Sequence, residues 1–442
     1  ILYTLSSRMK HISDFHIHSK YSRACSKNLD LEHISAWARI KGIQHISCAD
    51  FTHPAWFSDL EQKLEETDLG LYELAPMYKA CADALVEEYA PALASAPQRF
   101  ILTTELSCIY SKNGKGRRIH VIVFAPSLSV VKKINTALSR VGNIVSDGRP
   151  ILGMDVTHLM QIILDISDEC FFVPAHACTP WFSVFGSFSG FDLLEECFEE
   201  LTPRIYAIET GLSSDPEMNW RLSALNDIAL ISNSDAHSLE KLGREATVFR
   251  GEELTYASIR AALSAGASGT DALSLDSTIE FFPEEGKYHH DGHRLCGFSC
   301  DPEQTKRLSG ICPVCKKFLT VGVLNRVSSL ADQDASAQKN HRAPFASIIP
   351  LQELIAHHYD VGVQSKRVKE TVKKVINRCG TEFDILLNVS IDEITQHAGG
   401  DIAFAIAQMR AGDVQITPGY DGEYGRIAVA RTRTKEQKEL FS

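Results

Sequence analysis

No run of about 18 apolar residues occurs in the 442-residue chain, so no helical membrane span is expected. No signal-peptide pattern opens it either, and the eight residues before Met9, ILYTLSSR, are assigned no role. No Gly-rich phosphate loop follows the first strand-like run, which argues against a dinucleotide-binding fold. Repeats and low-complexity segments are lacking. Positive charge is in short supply: 45 Lys+Arg face 56 Asp+Glu, a net of −11, which argues against a protein coated in positive charge. The deficit is uneven, with a net of −12 over residues 1–338 and +1 over residues 339–442. A metal site uses carboxylates, so an acidic first part suits one. A secreted disulfide framework is missing too. Of twelve cysteines, eight are scattered, mostly in apolar runs (Cys48, Cys81, Cys108, Cys170, Cys197), as reduced core cysteines are. That fits a cytoplasmic protein with no membrane partner.

What is present first is a rhythm. Over the first 275 residues a short apolar strand, a turn and an amphipathic helix alternate. The strand candidates are residues 11–17, 42–49, 99–105, 120–125, 170–175, 204–209 and 228–234, with helical patterns such as Leu31–Lys41, Met77–Leu93, Ser129–Val141 and Phe191–Leu201 between them. Alternating βα units predict a parallel sheet. Seven or eight units in this length predict a closed barrel.

Ionisable residues gather at the strand ends. The stretch DFHIHSKYS places His16 and His18 on one strand face, because alternate residues point the same way. Asp50 follows the second strand, Glu105 ends the third, His176 follows the fifth, Glu209 ends the sixth, and Asp235 and His237 follow the seventh. Barrel active sites form at the C-terminal ends of their strands. His120 is the exception, at the start of its run. Imidazole and carboxylate together suit zinc, manganese or iron. Clusters of two or three such ions activate water and stabilise both oxygens of a phosphate ester, so phosphoester hydrolysis is the expected chemistry.

Near residue 280 the rhythm stops. Cys296, Cys300, Cys312 and Cys315 follow, spaced C-x3-C-x11-C-x2-C, which suits one structural zinc. The other reading is free thiols. His289, His290 and His293 lie beside them, read as loop residues that could replace a ligand. From about 330 the chain is helix-rich, and SKRVKETVKKVINRCG carries Lys366, Arg367, Lys369, Lys373, Lys374 and Arg378 on one helix. It is either a solvated face or a phosphate-binding one. The expected domains are residues 9–280, 281–330 and 331–442.

HIH, the Glu of TTE, PAH and SDAH, in this order, resemble the polymerase and histidinol phosphatase (PHP) superfamily over residues 9–275. The resemblance implies a distorted (βα)7 barrel of α/β class with a metal cluster at its mouth. It implies that His16, His18, Glu105 and Asp235 hold one metal, that Glu105 bridges to a second held by His120 and His176, and that His237 belongs to a third position. The chain departs from the family there. Cys25 stands near where many members have an acid or His, and Asp50-Phe51 where many have Asp-His, which leaves Asp50 or His53 for a third ion.

PAHACTPWF, ETGLSSDPEMNW, CPVCKKFLTVGVLNRV and PGYDGEYGRI narrow the likeness: across nearly the whole chain it resembles the endonuclease Q family. That resemblance implies a four-Cys zinc module, a helix-rich α+β C-terminal DNA-binding domain, and two or three divalent barrel metals (Zn, Mn or Mg). It implies a DNA repair enzyme that nicks 5′ to uracil, hypoxanthine, xanthine and abasic sites, leaving a 3′-hydroxyl and a 5′-phosphate. Damaged DNA and downstream repair proteins are the implied partners, at the nucleoid. Glu105, Asp235 and His237 are then the catalytic candidates.

A lesion reader must flip or seize a base and stack it. The loop at residues 177–190 follows His176, so Trp181 or Phe182 is expected either to contact the lesion or to cap the barrel. Lys366, Arg367 and Lys373 are the backbone-binding candidates. Arg117 and Arg118 reach phosphate or sit on a hairpin tip, and Lys316 and Lys317 could reach it from the module. Two competing readings remain: a small-molecule phosphatase of the histidinol phosphatase type, and a non-catalytic repair scaffold.

Overall fold

The computed structural model describes residues 9–266, 269–337 and 342–430. Eight strands wall the barrel: β1 (Met9–Asp14), β2 (His45–Ser47), β3 (Arg99–Ile101), β4 (Thr103–Lys112), β5 (Lys115–Phe124), β6 (Phe171–Pro174), β7 (Ala207–Glu209) and β8 (Ala229–Ile231). The wall runs β1-β2-β3 in parallel, continues through β4, and turns through antiparallel β5 and β6. A bridge from Phe172 to Ile205 leads to the parallel pair β7-β8. It closes where Ile17 bridges Ala236. Two further strands, β9 (Ala246–Gly251) and β10 (Leu273–Glu280), continue the sheet from the other edge of β1 in antiparallel fashion. All seven expected strand regions are present, and the Leu31–Lys41 helix has its expected bounds.

One expectation changes. The expected third and fourth strands are joined, as β4 and β5, in a long antiparallel hairpin rather than as two parallel strands with a helix between them. The cause is local. Asn113 and Gly114 take φ of 53° and 73°, the two-residue turn whose twist matches its flanking strands. Because β5 runs backwards, its first half lies at the mouth. His120 sits opposite Ser107 there, although the sequence places it early in its strand.

The barrel is packed, not hollow. Phe15, Phe124, Phe171 and Phe249 are buried inside it, with the Phe124 and Phe171 rings stacked at 4.2 Å and Phe15 edge-on to Phe124 at 5.5 Å. Burying each such ring is worth roughly 1.5–3 kcal/mol. Phe15 adjoins His16 in the chain, so dry packing reaches the edge of the polar mouth.

The C-terminal part packs helices Leu351–Tyr359, Lys366–Cys379, Ile391–Ala398 and Gly400–Arg410 together. Its strand Phe345–Ser347 joins β10, and Lys41 of the barrel meets Glu382 at 2.8 Å. The tail segment PGYDGEYGRI returns to the Cys-rich module instead. His290 bridges Tyr420, and Asp421 accepts from Thr320 Oγ1 at 2.7 Å and from the Arg294 amide at 2.6 Å.

Candidate metal centre

His16 and His18 leave the end of β1 with their outer ring nitrogens already engaged. His16 Nδ1 is 3.0 Å from Glu209 Oε1, and His18 Nδ1 is 3.1 Å from Asp50 Oδ1. Both carboxylates are fixed from other directions. Glu209 also accepts from the His176 amide at 2.7 Å and from Asn233 Nδ2 at 2.9 Å. Asp50 Oδ2 accepts from the Ser19 amide, Ser19 Oγ and Ser22 Oγ at 2.7, 2.6 and 2.9 Å. A carboxylate behind a metal-binding histidine sets its tautomer and ring orientation.

The inner nitrogens converge. His16 and His18 Nε2 lie 3.4 and 3.3 Å from Glu105 Oε2, and 3.7 and 3.1 Å from Asp235 Oδ1. Yet both Nε2 atoms and Asp235 Oδ1 are buried without a hydrogen bond. They aim at a common point rather than at one another. Buried polar atoms left this way need a partner, and a divalent cation fits two imidazoles and two carboxylates. The donor atoms of His16, His18, Glu105 and Asp235 all lie within 4.8 Å of one another.

A second group shares Glu105. Its Oε1 is 2.5 Å from His120 Nδ1 and 3.1 Å from His176 Nε2, and those two nitrogens are 3.3 Å apart. Glu105 thus offers one oxygen to each group, the geometry of a bridging carboxylate. Asp50, His176 and Asp235 hold φ of 27°, 32° and 45°. Non-glycine residues in that region are strained, and such strain clusters at functional sites.

The field favours cations. Burial alone would lower His16 and His18, but Glu209 and Glu105 around the first ring, and Asp235 and Asp50 around the second, raise both well above the ordinary value. Burial would raise Glu105, but Arg149, His120 and His16 hold it well below the ordinary carboxylate range. For His120 burial prevails and holds it down to about 4, keeping the imidazole neutral and free to ligate.

Two expected barrel ligands fall outside these groups. Asp50 is saturated by His18, Ser19 and Ser22, so it acts through His18. His237 lies with its ring 4.6 Å from that of His18, and its Nδ1 is 2.9 Å from the Asp235 carbonyl. His53, the other candidate for a third ion, stacks on Tyr21 and engages the Val145 carbonyl. The sequence places Glu209 at a strand end without giving it a role, and it gives no sign of Arg149, whose Nη1 is 2.9 Å from Glu105 Oε2. No motif marks that arginine, which lies in an irregular loop.

In the Cys-rich module the grouped donors are His293, Cys296, Cys312 and Cys315, all within 4.8 Å of one another. Cys300 differs from its expected place as fourth ligand: its Sγ is 3.2 Å from Thr305 Oγ1. It is paired with Asp291 in a short ladder that brings His293 opposite Phe298. The module also braces the mouth loop. Arg326 donates to the Phe185 and Phe191 carbonyls at 2.9 and 2.8 Å and to Asp192 at 2.7 Å.

That loop carries the expected aromatics. Trp181 stacks on Phe188 at 4.5 Å and 5°, with Tyr288 edge-on at 5.2 Å. Phe182 lies 4.6 Å from the His120 ring. Phe185 is buried core, whereas Phe188 is 52% exposed. Of the basic-helix candidates, Arg367 covers Tyr359 and Lys373 reaches Tyr89 on a barrel helix, while Lys366 is exposed beside Glu370. Arg117 is buried against Phe191, and Arg118 lies over Phe182.

A family described as PHP-associated matches residues 217–268, and one described as the MJ0043 C-terminal domain matches residues 350–413. The uncharacterized protein YqxK of Bacillus subtilis is 30% identical over 74% of this chain and 78% of its own length. The uncharacterized protein MJ0043 of Methanocaldococcus jannaschii is 30% identical over 62% of this chain, which spans 35% of that protein's length. The lesion-specific endonuclease PfuEndoQ of Pyrococcus furiosus superposes with a TM-score of 0.80 at 27% identity, covering 98% of this chain and all of that one. An endonuclease Q bound to a 27-mer duplex with an abasic lesion at its active site gives 0.79 at 29% identity, covering 96% and 97%.

Proposed function

The chain belongs to the endonuclease Q family, and from that premise we propose that it is a metal-dependent DNA repair endonuclease. It cuts the phosphodiester 5′ to deaminated bases (uracil, hypoxanthine, xanthine) and to abasic sites, leaving a 3′-hydroxyl and a 5′-phosphate. One observation carries the reading: Glu105 joins two converging donor groups at the mouth, directly beside an aromatic loop.

Two divalent ions held there would activate water and neutralise the charge that develops on the phosphate. His16, His18, Asp235 and Glu105 would hold the first, and Glu105, His120 and His176 the second. Glu209 and Asp50 keep the imidazoles of His16 and His18 in the ligating tautomer. Phe182, beside His120, and the Trp181–Phe188 stack offer the flat apolar surfaces that an unstacked base takes up. The Cys–His group, taken as a zinc site, braces that loop through Arg326 and Tyr288. Lys366, Arg367 and Lys373 add backbone contacts farther along the duplex.

The test is a metal-supplemented incubation with an end-labelled duplex containing one deoxyinosine, beside its undamaged twin. The expected product is a single nick on the 5′ side of inosine, absent from the twin. Hydrolysis of p-nitrophenyl phosphate or a sugar phosphate with no nick would instead support a phosphatase.

A further inference from the structure

Arg149 is a mouth residue that neither donor group uses. Its loop is pinned to the histidine-bearing segment. The Gly148 amide donates to the Tyr21 carbonyl at 3.1 Å. A Cβ on Gly148 would lie 2.3 Å from Asp50 Oδ2 and 2.4 Å from Ser22 Oγ, so only glycine lets the loop run this close. Asp147 accepts from the Arg149 amide at 3.1 Å and from the Arg23 amide at 3.2 Å. The guanidinium is thereby aimed inward. Its Nη1 is 2.9 Å from Glu105 Oε2, the oxygen that His16 and His18 also approach. The side chain keeps 26% exposure, so it is open to an incoming ligand as well as paired with Glu105.

The donors for another ion do not assemble. Among the described residues the barrel shows two convergent groups of His, Cys, Asp or Glu, and neither includes Cys25, Asp50, His53 or His237. Phe51 is buried core. Resting on the endonuclease reading, we propose that Arg149 is the third cation of this site: the barrel takes two metal ions, and the guanidinium receives a non-bridging oxygen of the DNA phosphate. Arginine suits the task because its planar fork matches phosphate oxygens and keeps its charge at any working pH. Pairing with Glu105 holds the fork in place before DNA arrives.

The full chain tests this in two measurements. Metal-stripped protein is reloaded with excess zinc, desalted and counted by mass spectrometry. Three ions per chain are expected, two in the barrel and one in the Cys–His group; four would overturn the proposal. Zinc-loaded wild type, Arg149→Ala and Arg149→Lys are then titrated, at several salt concentrations, onto an abasic duplex made uncleavable by a methylene in place of the scissile 3′ oxygen. Losing one phosphate contact should flatten the log–log salt slope of Arg149→Ala by about 0.9, whereas Arg149→Lys keeps the slope. An unchanged slope in a folded Arg149→Ala protein would overturn the phosphate contact. A wild type that ignores DNA would overturn the endonuclease reading and that contact with it. The metal count would still decide whether a third ion is excluded.

Discussion

The first strand has His11 within it and His16 and His18 just past its end, and they meet opposite fates. At the start of the barrel wall, His11 lies 5.5 Å from His45 of β2, ring to ring. At the mouth, His16 lies 5.5 Å from His18. The four residues are all at most 9% exposed, so burial does not separate the pairs. The neighbours do. Around His11 and His45 the nearby charge that acts on both is Arg99, and burial is the largest influence on each. His11 is lowered, and His45 falls to about 3. Around His16 and His18 stand Glu105, Glu209, Asp50 and Asp235, which outweigh burial and draw positive charge in. The same imidazole is therefore a neutral core residue at one end and a cation-seeking ligand at the other. Carboxylates, not histidines, distinguish the two.

The largest expected break of this contrast is Glu105→Ala. It removes both shared oxygens, so nicking should fall by far more than the roughly 10- to 100-fold that loss of an outer partner costs. Gel-quantified cleavage at saturating metal checks this, with DNA binding retained. Next come Glu209→Gln and Asp50→Asn, which leave the ligands but loosen their aim. Each should weaken metal binding by roughly 10- to 100-fold, read from titrations in chelator-buffered zinc.

At the other end the expected effect is on stability. His45 is held neutral far below its unfolded value of 6.5. As pH falls through 6.5 the unfolded chain takes up a proton that the folded one refuses. The stability due to His45 is thus complete above 6.5 and lost on acidification, about 2 kcal/mol by pH 5. Urea melts at pH 7 and pH 5 should show that loss shrinking in His45→Gln. The smallest effect is Arg99→Gln. Removing that cation should let the His11 and His45 titrations move upward, which imidazole NMR would follow.

Legibility followed the chemistry of strand ends. His16, His18, Glu105, His176 and Asp235 could be picked out because parallel strands deliver their C-terminal ends to one mouth. His120 could not be placed that way, since its strand runs backwards after the Asn113–Gly114 turn. Asp50 read as a ligand because it sits at a strand end; nothing in the sequence shows that three hydroxyl and amide donors already occupy it. Cys300 read as a ligand from spacing alone, whereas the ladder at Asp291–His293 brings His293 into the group. Arg149 reaches Glu105 only through the folded loop, so no local pattern announces it. The His11–His45 pair shows the converse limit: only Glu253 acts on His11 from the carboxylate side, too weakly to offset burial, and that is a property of the tertiary neighbourhood.

The most direct test of the contrast is anomalous diffraction from crystals of the full chain soaked in manganese or zinc. The account predicts two mouth peaks flanking Glu105, one facing His16, His18 and Asp235 and the other facing His120 and His176, with none beside His11 and His45. A mouth without anomalous density, or an ion between His11 and His45, would contradict it.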